Sequence, residues 1–388
     1  MRFLRIFQAF IVVVLLALFL PKFIDSIFAK SDVKVNLYYS EILDKFIIQS
    51  GQNYQILGDK NITKDEFMAN LPFKFYSYLL AKGIFPECFS EFANEDKIRA
   101  NSLNLMIKPD IYNQKPLEIW TIFESNPPYL KLSFNDYALR AKKDSLEFVN
   151  LFSLKIEKEL SAIYTNALKN SGFSFPIKHF FTNPTTKKPF DEGAFIVDSL
   201  NQIYHLKIID GKPSVKKTDI KDGDLIIVSE NTKKEFYAAI LSKNSVKLIS
   251  YDDYKLIELP SGDYDPSTDK FALYITPISK SVVIHKKDKI LGYRLDDNYA
   301  INSAFQYDIL RETTAKDIKE MILPFEIRNL SSYLYGFKFE GVYVKALILN
   351  LILCCLSTLL YGRSELIRHI FVLIFGIYGF IAMIFMAP

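Results

Sequence analysis

Two long apolar stretches near the C-terminal end constrain this chain more than any other feature. Residues 346–361 read ALILNLILCCLSTLLY, and residues 370–387 read IFVLIFGIYGFIAMIFMA without a charge. With residues 342–344 placed before the first, each is long enough for a bilayer core of about 30 Å, which takes roughly 17–25 helical residues. The connector, residues 362–369, is too short for a domain and carries Arg363 and Arg368. Short Arg-bearing loops stay in the cytoplasm. The sequence therefore predicts a transmembrane hairpin over 342–388, with its connector inside the cell and its other ends outside.

A third apolar segment opens the chain. Arg2 and Arg5 precede an apolar run over residues 6–20, broken only by Gln8 and ended by Pro21 and Lys22. Fifteen helical residues rise about 22 Å, which suits a secretory h-region or an uncleaved signal anchor. Cleavage after Ala29 would place bulky Ile27 where a signal peptidase takes a small side chain, so residues 1–29 are expected to stay as an anchor. On either alternative the positive end stays inside and residues 30–340 are exported, making the chain a multi-pass inner-membrane protein with its bulk in the periplasm.

Charge narrows the partners. Arg2, Arg5 and Lys22 against Asp25 leave the first segment at +2; Lys345, Arg363 and Arg368 against Glu365 leave the last at +2. The formal total is +4, so the exported part is neutral and lacks the clustered basic face that nucleic acid needs. Cys88 stands alone in that part, so no disulfide can close within it, and Cys354 with Cys355 reads as apolar packing. An apolar content of 49% over 388 residues supplies a sizeable core.

Within the exported part the pattern changes once. Residues 30–190 read as an α/β half. A strand then a helix are expected over 31–48. Thr63 and Glu66 have the spacing of a capping box, and Pro72 suits the first turn of a second helix closed by Gly83. Strands are expected over 117–124 and 129–134, with 139–148 extending the sheet. The strongest helix is expected over 150–171, with Ile156, Leu160, Ile163 and Ala167 on its buried stripe and Gly172 at its end. Residues 191–312 hold short β-type runs separated by Asp, Gly, Asn or Pro, the mark of an antiparallel meander. Residues 313–341 are expected to form a stem, helical over 313–330 with Pro324 inside the helix. The fold class is α+β.

Chemistry-bearing motifs are few. Residues 183–193 (NPTTKKPFDEG) gather Asn183, Lys187, Lys188, Asp191 and Glu192, a loop able to hold a zwitterion or carboxylate, or to be a rigid connector with internal ion pairs. Asp263, Asp265, Ser267 and Asp269 alternate like a calcium loop, but Thr268 stands where an EF-hand needs Gly and Tyr274 where it needs Glu. A turn held by side-chain hydrogen bonds is the expected reading there. The four His lack metal-ligand spacing; no cofactor is expected. Asn61 heads an N-x-T sequon. Gly376, Gly379 and Ala382 recur every third residue on the last helix, where small residues let helices approach closely.

Five stretches resemble an uncharacterised family of bacterial membrane proteins, classed as a domain of unknown function: residues 71–86, 123–150, 171–176, 183–207 and 251–266. The resemblance implies one recurring exported unit and an association with ABC-type export systems. It assigns no activity to any residue. The functional expectation is an accessory or structural subunit of an inner-membrane assembly, with permease or ATPase subunits as partners and no chemistry of its own. The alternatives are a ligand-binding envelope sensor and a periplasmic hydrolase.

Overall fold

The computed structural model describes residues 2–28, 35–56, 60–114, 118–127, 131–221, 223–309, 315–329, 337–362 and 365–384. The chain divides into two compact units: residues 35–309, and residues 1–34 together with 310–388. Ala29 and Arg363, on which the expectations for cleavage and orientation turn, lie outside the described residues. The chain opens with helix α1 (Arg2–Phe28), which belongs to the second unit.

The first unit begins with an antiparallel sheet of β1 (Val35–Ser40), β2 (Lys45–Ser50), β3 (Asn53–Ile56) and β4 (Lys60–Ile62). The helix expected at the end of 31–48 is strand β2 instead. Phe46 and Ile48 pack with Leu37 and Ile290 on one face, while Ile47 packs with Tyr54 and Phe67 on the other. Both faces are covered, so the strand shows consecutive apolar residues rather than alternation. Helix α2 (Lys64–Ala69) carries the capping box. The Glu66 N–H donates to Thr63 Oγ1 at 3.2 Å, and the Thr63 N–H donates to Glu66 Oε2 at 2.8 Å. Helix α3 (Tyr76–Ala81) starts beyond Pro72, not at it. It ends on Gly83 at φ +67°, where the Gly83 and Ile84 N–H groups reach the Leu80 and Leu79 carbonyls.

A 3-10 turn (Glu87–Phe92), α4 (Glu95–Ala100), β5 (Leu103–Ile107) and α5 (Pro109–Asn113) follow. The strands expected over 117–124 and 129–134 are not formed among the described residues. Trp120 and Glu124 make single bridges, to Leu139 and Ile208. The Glu124 carboxylate instead accepts the N–H groups of Asn126, Asp210 and Gly211 at 3.0, 3.0 and 2.9 Å, tying this segment to a turn by a side chain. Strands β6 (Tyr137–Ala141) and β7 (Leu146–Asn150) pair as a separate hairpin.

Helix α6 (Lys158–Asn170) starts later than expected and buries a different face. Ser161, Tyr164, Thr165 and Leu168 are buried, whereas Ile156 precedes the helix and Ile163 is 52% exposed. The two hydroxyls complete the edge of β7: the Phe148 N–H donates to Ser161 Oγ at 2.9 Å and the Leu146 N–H to Thr165 Oγ1 at 3.1 Å. Apolar periodicity cannot see a face that is polar because it satisfies a strand. Gly172, at φ +86°, ends the helix.

Three meander sheets complete the unit. β8 (His179–Thr182), β9 (Ala194–Val197), β10 (Gln202–Ile209) and β11 (Lys212–Lys221) form the first. β12 (Leu225–Val228), β13 (Phe236–Ser242), β14 (Ser245–Ser250) and β15 (Leu256–Leu259) form the second. β16 (Lys270–Ile275), β17 (Lys280–His285), β18 (Lys289–Leu295) and β19 (Ile301–Asp308) form the third, with β5 paired to the free side of β16. The largest core joins the last two sheets through Phe236, Leu248, Phe271, Val282 and Ile284.

In the second unit, α1 continues through Pro21 rather than stopping there. Helix α7 (Ala315–Ile322) ends before Pro324, and the chain turns into a hairpin of β20 (Phe325–Asn329) and β21 (Phe337–Val342). The expected continuous stem is therefore a helix followed by a hairpin. Proline has no N–H for an interior helical bond, and Phe325 stacks on Phe339 at 5.2 Å. Helices α8 (Ala346–Tyr361) and α9 (Leu366–Ile384) close the chain. Residues 5–28 and 366–383 are long and apolar enough to cross a membrane; α8, with 16 residues or about 24 Å, is shorter. The expected span over 342–361 loses Val342 to β21, and its helix begins only at Ala346.

Small residues fit this unit together. Ala9, Val13 and Ala17 of α1 are buried in one cluster with Leu323, Tyr378 and Ala382. Lys319 is 5% exposed and places its ammonium 2.8 Å from Asp25 of α1 and 3.5 Å from Glu326. Glu326 also accepts from Tyr343 at 2.9 Å. The N-terminal helix is thus fastened by both an apolar seam and an ion pair.

Candidate ligand-binding site

The loop over residues 183–193 closes into a buried ionic knot. Lys188 donates to Asp191 at 2.6 Å, to Glu230 at 2.7 Å and to the Asn183 carbonyl at 2.8 Å, filling all three ammonium protons. The side chains of Lys188, Asp191 and Glu230 are 2%, 0% and 0% exposed. Asn183 Nδ2 and the Glu192 N–H hold Glu230, and the Gly193 N–H holds Asp191. Burial pushes the Glu230 carboxyl up, with Lys188 pulling against it. Lys187 is exposed and outside the knot. Gly193, at φ +76°, lies so near the Leu206 carbonyl that a Cβ would come within 2.2 Å of it. Lys188, Asp191 and Glu230 are thus each partnered within the protein.

Beside it lies a second cluster, of which sequence reasoning singled out Glu192 alone. Glu192 accepts from Lys207 and, at 2.8 Å, from the Tyr251 hydroxyl. His205 stacks on Phe195 with ring centres 4.3 Å apart. Its Nε2 meets the Glu192 carbonyl, so that nitrogen carries the proton, and Nδ1 accepts from the Tyr254 hydroxyl at 2.9 Å. Burial holds its pKa down at about 3, so the ring is neutral at ordinary pH.

The open cavity lies elsewhere in the unit. It encloses about 500 Å³ where β1, the residues between α2 and α3, the end of α4, and β16–β17 come together. Glu41, Lys74, Arg99 and Ser102 supply its polar lining, with Tyr38 and Tyr274 among its rings. Glu41 accepts from Ser279 Oγ at 2.9 Å, and burial raises its pKa. Lys74 places its ammonium 4.1 Å from the centre of the Tyr38 ring, and desolvation lowers its pKa. Among the described residues it has no carboxylate partner. Arg99 is held by Glu95 and by the Tyr76 hydroxyl at 3.0 Å. The Ser102 hydroxyl oxygen is buried without a hydrogen-bond partner. Five separated segments build this cavity, and no local spacing could have announced it.

A family model described as a domain of unknown function, DUF4857, matches residues 36–295. The chain belongs to this family. Every residue lining the cavity falls inside the DUF4857 match, as does the ionic knot. No curated protein matches the chain. Among solved structures, a Bacteroides fragilis protein described as a candidate exported protein aligns at 8% identity over 60% of this chain and 83% of its own. Its TM-score is 0.16, a likeness that carries no argument.

The remaining candidates in the DUF4857 region occupy turns and strands. Asp269 accepts from Lys286 at 2.7 Å and from the Asp265 N–H at 3.0 Å; Asp263 meets Lys286 at 3.2 Å, and Ser267 bonds to Asp265. Those carboxylates face a lysine and backbone N–H groups. Among the described residues no His, Cys, Asp and Glu group is placed to hold a metal ion. Asn61 is exposed on β4, next to the Thr63 cap. Outside the family region, α9 breaks at Gly376 (φ +53°), where a Cβ would come within 2.0 Å of Asn350. Gly379 lies close against the Phe371 carbonyl of its own helix, and Ala382 joins the seam with α1. His369 is buried between Ser357 at 2.7 Å and the Gly362 carbonyl at 2.9 Å, so no carboxylate completes that pair.

Proposed function

We propose that this protein is a membrane-anchored accessory subunit of a bacterial inner-membrane transport assembly, whose exported module holds a small ligand and performs no chemistry of its own. The observation that carries the ligand-holding part is the cavity. A cation without a carboxylate partner and a buried, unpartnered hydroxyl line the same space, which falls in the roughly 300–1,000 Å³ range of small-molecule sites. The anchoring part is supported by α1 and α9, both long and apolar enough to span, and by the ion pair of half-exposed Asp25 with buried Lys319 that favours retention of α1. The transport association draws on the family resemblance.

An envelope sensor draws on the same cavity and differs in needing a partner that carries the signal inward. A hydrolase is less well supported, because both nitrogens of His205 are already engaged by a carbonyl and a tyrosine. Purification of the full chain in mild detergent separates these readings. Co-purification of an ATPase and a permease is the expected result. A chain that purifies alone, at native expression and after cross-linking, contradicts the subunit assignment.

A further inference from the structure

The cavity lining specifies the chemistry of what fits it. Lys74 offers one positive charge that no carboxylate of the described chain neutralises, whereas Arg99 is matched by Glu95. Tyr38, Tyr76 and Tyr274 line the same space, with the Tyr76 hydroxyl accepting from Arg99. Asn104 and Asn231 add amides that both donate and accept. Ser102 lacks a partner within the protein, although a buried hydroxyl ordinarily has one. Glu41, drawn inward and hydrogen-bonded to Ser279, discourages a second acid group nearby.

We propose that this cavity binds a hydroxylated organic monocarboxylate of the uronate class. The acid group lies against Lys74, the ring body against the tyrosines, and one ligand oxygen takes the proton of the Ser102 hydroxyl. The assignment rests on the ligand-holding reading above and adds the ligand's charge and polarity to it. A phosphate monoester would bring close to two negative charges to a site lined by one unmatched cation and the Glu41 carboxyl. A purely apolar acid would leave the buried Ser102 hydroxyl without a partner.

Isothermal titration of the detergent-solubilised full chain with galacturonate and with galactose tests this directly, since the two share a ring and differ in the acid group. Galacturonate is expected to bind at least about ten-fold more tightly than galactose, the usual worth of a charge-assisted hydrogen bond. Lys74→Gln is expected to remove that preference, and Ser102→Ala to weaken both sugars several-fold. Equal binding of the two sugars, unmoved by Lys74→Gln, overturns the acid assignment and leaves a binding module standing. Binding of neither also overturns it, and mass spectrometry of molecules released on denaturation then decides the broader reading. A neutral molecule released from the wild type alone keeps that reading; nothing released removes it.

Discussion

Lys188→Met is expected to cost the unit of residues 35–309 about 3–5 kcal/mol, the penalty for stranding a buried charge. The variant leaves Asp191 and Glu230, both with fully buried side chains, without their shared cation. Backbone N–H groups still reach both carboxylates, but two negative charges would then face each other in a medium that screens poorly. Against a total stability of about 5–15 kcal/mol for a typical domain, the variant sits near unfolding at neutral pH. Denaturant titration of both proteins measures the loss. Adding Glu230→Gln should recover part of it, because one of the two stranded charges is then removed. A loss under about 1 kcal/mol would mean that water reaches the knot.

Acid should weaken the fold through His205. Its folded pKa is about 3 against an ordinary 6.5, with burial as the main cause. The unfolded chain takes up a proton that the folded chain refuses, so stability falls as pH falls below 6.5. The slope is roughly 1.4 kcal/mol per pH unit until about pH 3, on the order of 5 kcal/mol in all. Protonation at Nδ1 also breaks the bond received from Tyr254. Glu230 acts in the opposite sense, since a raised carboxyl pKa favours the folded state as pH drops. The difference between wild type and His205→Gln isolates the histidine. Denaturation midpoints from pH 7 to 4 should converge as pH falls, the wild type losing more. Parallel curves would show that the folded ring accepts its proton freely.

The sequence announces structure where the signal is local. The Thr63–Glu66 box, Gly83 and Gly172 at helix ends, and the punctuated strands beyond residue 190 all rest on contacts within a few residues. It misleads where a distant element decides. Strand β2 is apolar on both faces because two clusters cover it, and α6 turns Ser161 and Thr165 inward because β7 needs their hydroxyls. Residues 183–193 look like a site because opposite charges crowd one loop, yet Glu230, far along the chain, is what completes them. The cavity shows the converse. Lys74 and Ser102 lie in unremarkable stretches, and their common space exists only once the sheets and helices meet.

Everything proposed for the ligand requires the DUF4857 unit to face the outside of the cell, and Cys88 reports on that. It is exposed on this unit, whereas Cys354 and Cys355 lie in the apolar helix α8. A membrane-impermeant maleimide applied to intact spheroplasts is predicted to label the wild type and not Cys88→Ser. Labelling of Cys88 only after the cells are lysed would place the unit in the cytoplasm and contradict the account.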